Sequence, residues 1–242
     1  MAAPLTVQDV VNLANAQITS GRYPNIMSVL GGRSIALGWI MGIIQLESQF
    51  RVGVTNTTAR GYPAEARLIG QLEAKYPNIP NTNILYAGTA IGLMQGLGAY
   101  CIQECKPLGF SLTGTGLNAL VSNNLYIPLS TNVYTLFDPN SLGDVTKAAT
   151  NEIILGLAVL EWKCSLQSNA WAAVQSYYGD ASYSAGAKGA PYISYPALAI
   201  QDYYVAHRRL TEPLIVAPPT PLVSTATAAP TNQAPVTQSS AC

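Results

Sequence analysis

Apolar residues recur at Ile40, Ile43 and Ile44 and again at Phe50, the i, i+3, i+4 spacing of a buried helix face. The next position on that stripe after Ile44 is 47, and it carries a carboxylate. A charge on an apolar face is expensive to bury unless it is paired, hydrogen-bonded or neutralised. Desolvation disfavours the charged form and raises a carboxyl pKa, which suits a general acid working near neutrality. Periodicity alone also allows a plainer reading, in which Glu47 ends the helix and meets solvent or an arginine such as Arg51.

The same patterning predicts the other elements. Thr6 caps an amphipathic helix running to Ile18, and a loop follows through Gly21–Gly32 with Pro24 inside it. Ser34 is expected to cap the helix that carries Glu47. Residues 53–88 read as an inserted excursion containing a short helix, Ala64–Lys75. Helix is expected again from Ile91 to Glu104. A Gly/Ser/Asn-rich connection over 109–137 includes a short helix at Leu117–Ser122. Asp138 and Pro139 form a helix start, and a long helix over Leu142–Leu166 places Ile153, Ile154, Leu157 and Leu160 in the core. Asn169–Tyr178 and Tyr195–Thr211 complete the set. Strand signals are few, so the chain reads as mainly α-helical, with a domain over 1–211. From Glu212 to 242 the composition turns to Pro, Thr, Ala, Ser and Gln, a tail that cannot build a core.

Composition changes this picture in one respect. Of 242 residues 49% are hydrophobic and only 10% charged, with a net charge of +0; an ordinary soluble domain carries about 25% charged residues. A surface so poor in charge is weakly protected against association, so partners or copies of the same chain are expected to cover it. Nucleic acid is disfavoured, because Arg208-Arg209 is the largest cluster of basic residues. The longest apolar stretch, Ile35 to Leu46, is short of the about 20 residues of a membrane span and is broken by Gln45. The N-terminus lacks the basic and continuous apolar regions of a secretory signal.

Cysteine and histidine chemistry adds little. Cys101, Cys105, Cys164 and Cys242 form no CxxC pair and read as small buried hydrophobes or at most one bridge. His207, the single histidine, has no neighbours that make a metal site or a Ser-His-Asp triad.

Taken in order, Glu47-Ser48 at the end of an apolar helix, Ala90-Ile91-Gly92-Leu93-Met94-Gln95, Phe137-Asp138-Pro139-Asn140 before a long helix, and Trp171-Ala172-Ala173-Val174-Gln175-Ser176-Tyr177-Tyr178-Gly179 stand out together. Over about residues 34–180 this series resembles the lysozyme-like catalytic domain of soluble lytic transglycosylases, relatives of goose-type lysozyme. The family pattern is a Glu-Ser pair, a Gly-Leu-Met-Gln segment, an Asp-Pro with a long helix, and an Ala-x-x-Tyr-Asn-x-Gly segment. Each motif alone is weak; four in the family's order are far more specific.

The resemblance implies cleavage of the β-1,4 bond between N-acetylmuramic acid and N-acetylglucosamine in peptidoglycan, with no metal and no cofactor. Glu47 matches the single catalytic acid, which protonates the glycosidic oxygen and then acts as base on the muramoyl 6-hydroxyl. Tyr177 matches the tyrosine whose hydroxyl lies near that acid. Met94 and Gln95 match substrate-lining positions, and Ser48 is expected to support the helix end or the substrate. Tyr178 stands where the family has asparagine, so a substrate contact there is altered. Glu65 and Glu73, in the excursion, are the nearby acids that could convert the outcome to lysozyme-like hydrolysis.

Peptidoglycan lies outside the cytoplasm, and the resemblance then implies a phage particle that carries the enzyme to the host wall during genome entry. Other virion proteins would be its neighbours, with the tail draped over them. The competing expectation is a virion structural component that keeps the lysozyme-like fold without turnover.

Overall fold

The computed structural model describes residues 4–56, 66–67, 70–71, 74, 90–97, 110–113, 116–119, 137–178 and 194–218. These residues are mainly helical, at 66%.

The first helix, α1, spans Val7–Ile18. Its start is as the sequence predicts: the Thr6 side chain accepts from the Asp9 amide while the Asp9 carboxylate takes the Thr6 amide at 2.7 Å, a capping box. A short helix, α2 (Pro24–Val29), lies within what the sequence suggested was only a loop. Its six residues are too few for a periodic signature, but Pro24 in the first turn is the local cue.

Helix α3, Arg33–Ser48, carries Glu47. It begins one residue before the expected cap; Gly32 occupies the N-cap without a side-chain bond, so Ser34 lies inside the first turn. Ile40, Ile43 and Ile44 are fully buried, and burial of each is worth about 1.5–3 kcal/mol. At the far end Gln49 and Phe50 adopt left-handed φ of 54° and 60°, which stops the helix and turns Phe50 back into the core. Glu47 therefore sits in the last turn, one residue before the helix ends.

Two-residue strands follow: β1 (Arg51–Val52), β2 (Thr55–Asn56), β3 (Ala90–Ile91) and β4 (Gly96–Leu97). The last three form an antiparallel sheet in the order β2-β3-β4. The helix expected from Ile91 is thus replaced, over 90–97, by a hairpin. Gly92 and Gln95 have positive φ (77° and 49°), which reverses the chain between β3 and β4. Strands β5 (Phe110–Thr113) and β6 (Gly116–Ala119) pair antiparallel, so the short helix expected from Leu117 is a strand up to Ala119. At 66–67, 70–71 and 74, within the helix expected over 64–75, the backbone is helical.

The long helix divides. Helix α4 is Pro139–Leu142, capped by Asp138, and left-handed Gly143 separates it from α5, Val145–Ser165, capped by Asp144. Burial raises the pKa of Asp138, but bonds from Ser141 and Asn140 outweigh it and hold the carboxyl below its ordinary 3.8. Helix α5 is the central pillar, with Ile153, Leu157 and Leu160 fully buried as their stripe predicts. Helix α6, Ala170–Tyr178, packs on α5, and α7, Tyr195–Arg208, packs on α3.

Where α3 and α7 meet, a side chain at Gly42 would run into the Ala199 carbonyl oxygen. A glycine there is what lets the backbones approach. After α7 the chain laces the fold together: Val7 and Gln8 donate to the carbonyls of Glu212 and Leu210, and Leu214 donates to Leu5. Strand β7, Ile215–Val216, then pairs in parallel with β1. The first residues of the expected tail are therefore paired structure. No helix among the described residues is long and apolar enough to cross a membrane.

Candidate active site

Glu47 emerges from the last turn of α3 toward the start of α7. There Tyr195, fully buried, donates its hydroxyl to Glu47 Oε1 at 2.6 Å. Glu47 itself keeps part of its surface open. Burial pushes its carboxyl up from the ordinary 4.5 to about 7, against the opposing pull of the Tyr195 hydrogen bond. Burial, followed by the adjacent Glu47 carboxylate, raises the Tyr195 phenol well above its ordinary 10. Tyr195 therefore keeps its proton and serves as a donor. A largely buried carboxyl that titrates near neutrality beside a phenol that keeps its proton can give up a proton and take it back.

Around this pair stand the two tyrosines at the end of α6. The Tyr178 ring lies 5.1 Å from that of Tyr195, tilted by 36°, and is 40% exposed. Tyr178 thus sets a partly exposed aromatic face beside Tyr195, the partner of Glu47. Tyr177, buried next to it, donates its hydroxyl to the Met94 carbonyl oxygen at 2.7 Å. The tyrosine hydroxyl bonded to the acid is that of Tyr195, while that of Tyr177 anchors the β3–β4 turn. Nothing local in the sequence marks Tyr195; it is one of 14 tyrosines and is distinguished only by opening a helix that crosses α3.

The other expected positions separate. Ser48 is fully buried and donates back to Ile44 at 3.0 Å, so it supports the helix end and faces no substrate. Met94 is also fully buried, against the backbone of Gly156 on α5, so its side chain fills the core and its carbonyl meets Tyr177. A lining role does not fit a thioether with no exposed surface. Gln95 is partly buried, and its Nε2 donates to the carbonyls of Val54 (3.2 Å) and Gly92 (2.9 Å), bracing the turn it belongs to. Glu65, Glu73, Cys101, Cys105 and Cys242 lie outside the described residues.

Two buried carboxylates on α5 are invisible to a reading of its apolar stripe. Glu152 accepts from the Gly53 amide at 2.7 Å and the Leu93 amide at 2.9 Å. Burial raises its pKa well above 4.5 in spite of these two bonds. Glu161 accepts from the amides of Asn25 (3.0 Å) and Ile26 (2.8 Å) and from the Asn25 side chain (2.7 Å), capping α2 from a distance. The local signal for both is that they bound the uninterrupted apolar run over 153–160.

The chain matches no family model, no curated protein and no solved structure. The chemistry of the site must therefore be argued from its own residues. Among those described, no three His, Cys, Asp or Glu side chains are grouped to hold a metal ion. His207 is exposed and lies against Tyr203, with ring centroids 5.9 Å apart. Cys164 is a free, buried thiol whose pKa burial pushes up to about 12, so it is an inert part of the core.

Proposed function

We propose that this protein is a peptidoglycan lytic transglycosylase that uses Glu47 as its single acid and base. The observation carrying this reading is the Tyr195–Glu47 pair, a carboxyl titrating at about 7 and held by a neutral phenol. It is supported by the order of Glu47-Ser48, Gly92–Gln95, Asp138-Pro139 and Tyr177 along the chain.

In this mechanism Glu47 enters the reaction protonated. Tyr195 occupies Oε1, which leaves Oε2 to hold the proton. That proton passes to the glycosidic oxygen as its bond to C1 of the muramoyl sugar breaks, and the N-acetylglucosamine side departs with a new hydroxyl. The carboxylate then takes the proton of the muramoyl 6-hydroxyl, whose oxygen closes on C1. The products are a 1,6-anhydro end and a re-protonated Glu47, so no water is consumed. Tyr178 offers an aromatic face to a sugar ring beside the reacting bond.

The same reading extends to the setting: a phage particle delivers the chain to the host wall, among other virion proteins. The low charge content favours such an environment over free solution. Zymography on purified peptidoglycan, followed by mass spectrometry of the fragments, tests the proposal. Wild type should release anhydro ends, and Glu47→Gln should lose about 10²–10⁴-fold in rate. Equal clearing by both proteins would remove Glu47 from the mechanism. Reducing ends would make the enzyme a hydrolase, and no release of fragments would favour a structural role.

A further inference from the structure

Glu152 is a fully buried carboxylate on α5, preceded by the buried Asn151 and followed by the apolar Ile153 and Ile154. Burying a carboxylate is costly, and a hydrophobe of similar volume would serve the core more cheaply. What the carboxylate does is join two backbone segments from opposite sides of the excursion. One oxygen holds the amide of Gly53, just beyond the strand that follows the Glu47 helix; the other holds the amide of Leu93, in the β3–β4 turn.

The backbone is shaped to allow this. Gly53 and Gly92 both have left-handed φ, 82° and 77°, and a side chain at Gly92 would collide with the Glu152 stem. Gly92 also donates to the Val54 carbonyl at 2.7 Å, and Gln95 bridges the same carbonyl to the turn. One residue beyond Leu93 is Met94, whose carbonyl receives the Tyr177 hydroxyl at 2.7 Å. Tyr178, the next residue on α6, sets its ring 5.1 Å from that of Tyr195, and Tyr195 holds Glu47. A series of contacts thus runs from Glu152 through the Leu93–Met94 backbone to Tyr177, and from its neighbour Tyr178 through Tyr195 to the acid.

We propose that Glu152 is a positioning residue for the Glu47 site, fixing the β3–β4 turn against the segment after α3 so that the end of α6, anchored by Tyr177 and touching Tyr195 through Tyr178, holds the Tyr195–Glu47 pair in register. The inference rests on the transglycosylase reading for its kinetic consequences, but not for its structural one. Misplacement of a reacting group by a fraction of an ångström to an ångström lowers turnover with little effect on how substrate is held.

The decisive variant is Glu152→Gln. In either protonation state both oxygens of the carboxyl can accept a hydrogen bond, whereas the glutamine amide nitrogen cannot. One of the Gly53 and Leu93 amides then faces a donor. The measurements are kcat and KM on glycan strands from purified peptidoglycan, the pH profile of kcat, the Gly53 and Leu93 amide resonances, and the Tyr195 ring resonances.

The folded variant should show displaced resonances for one or both amides and a kcat lowered roughly 10- to 100-fold. KM should change little, and the alkaline limb set by Glu47 should stay where it is. A folded variant with displaced amides and wild-type kcat would overturn the proposal and leave Glu152 a structural clasp. Should Glu152→Gln not fold, Tyr177→Phe, which cuts the same series one link closer to the acid, decides the matter. A comparable kcat loss supports the proposal, and a wild-type kcat overturns it. A wild type inactive on peptidoglycan removes the catalytic reading, and the Tyr195 ring resonances then decide: their displacement in Glu152→Gln supports positioning, and unchanged resonances overturn it.

Discussion

Glu47 ties the chemistry of this protein to its stability, because the same burial that keeps its proton also makes its charged form unwelcome. In the proposed role of general acid it must be protonated, so kcat should fall as pH rises through about 7. Tyr195 supplies the hydrogen bond that pulls this value down. Tyr195→Phe should therefore move the alkaline limb upward as well as lower kcat, whereas Tyr177→Phe, which loses a bond to Met94 instead, should leave the limb in place. A limb unmoved by Tyr195→Phe would mean that another group sets it. The stability consequence has a definite sign. The folded-state pKa of Glu47 lies above its ordinary 4.5, so the folded state holds the proton more tightly than the unfolded chain does. The associated stability is fully present below about pH 4.5 and is lost as pH rises through about 7. Glu47→Gln, with the Tyr195 bond retained on its carbonyl oxygen, should match the wild type in thermal unfolding at pH 4 and exceed it above pH 8. The gain should be about 1–3 kcal/mol, reduced from the full linkage value because the side chain is partly open to water.

At the scale of elements, the positions that matter most are those where backbones nearly touch. The α3–α7 crossing brings Glu47 and Tyr195 together, and it depends on Gly42 lying against the Ala199 carbonyl. Gly42→Ala places a methyl group on a backbone oxygen that cannot swing aside, and it should destabilise by about 1–3 kcal/mol or more. The accompanying loss of Glu47-dependent activity should exceed what the stability change alone explains. A melting temperature equal to wild type would contradict this account of the crossing. Much of the element pattern was legible beforehand, since α1 with its Thr6 box, the Asp138-Pro139 start and the α5 stripe all rest on local rules. The β3–β4 hairpin was not. Leu93 and Met94 are good helix formers, but the flanking left-handed Gly92 and Gln95 are set by the pairing of β3 with β2 and β4, which local propensity does not see. Helix α2 escaped for a related reason: its start is satisfied by Glu161, more than a hundred positions away along the chain.

At the scale of the molecule, the segment after α7 closes the fold. It supplies carbonyl acceptors to the first amides of α1 at Val7 and Gln8 and a strand beside β1. A chain ended after Arg209 loses these acceptors and leaves helix-terminal amides without partners. It should unfold at lower temperature and lower denaturant concentration than the full chain, with faster amide exchange at Val7 and Gln8; unchanged exchange there would show that the lacing carries no weight. Sequence alone determined the mainly helical class, the apolar stripes that build the core, and Glu47 as a carboxylate on one of them, because each follows from spacing along a few turns of helix. It did not determine Tyr195 as the partner of that acid, or that Ser48 and the Met94 side chain are core. Nor did it reveal that Glu152 joins Gly53 to Leu93. Those assignments were decided by tertiary structure, since a hydrogen bond between residues 47 and 195, or between 152 and two separate turns, exists only once α3, α5 and α7 are packed.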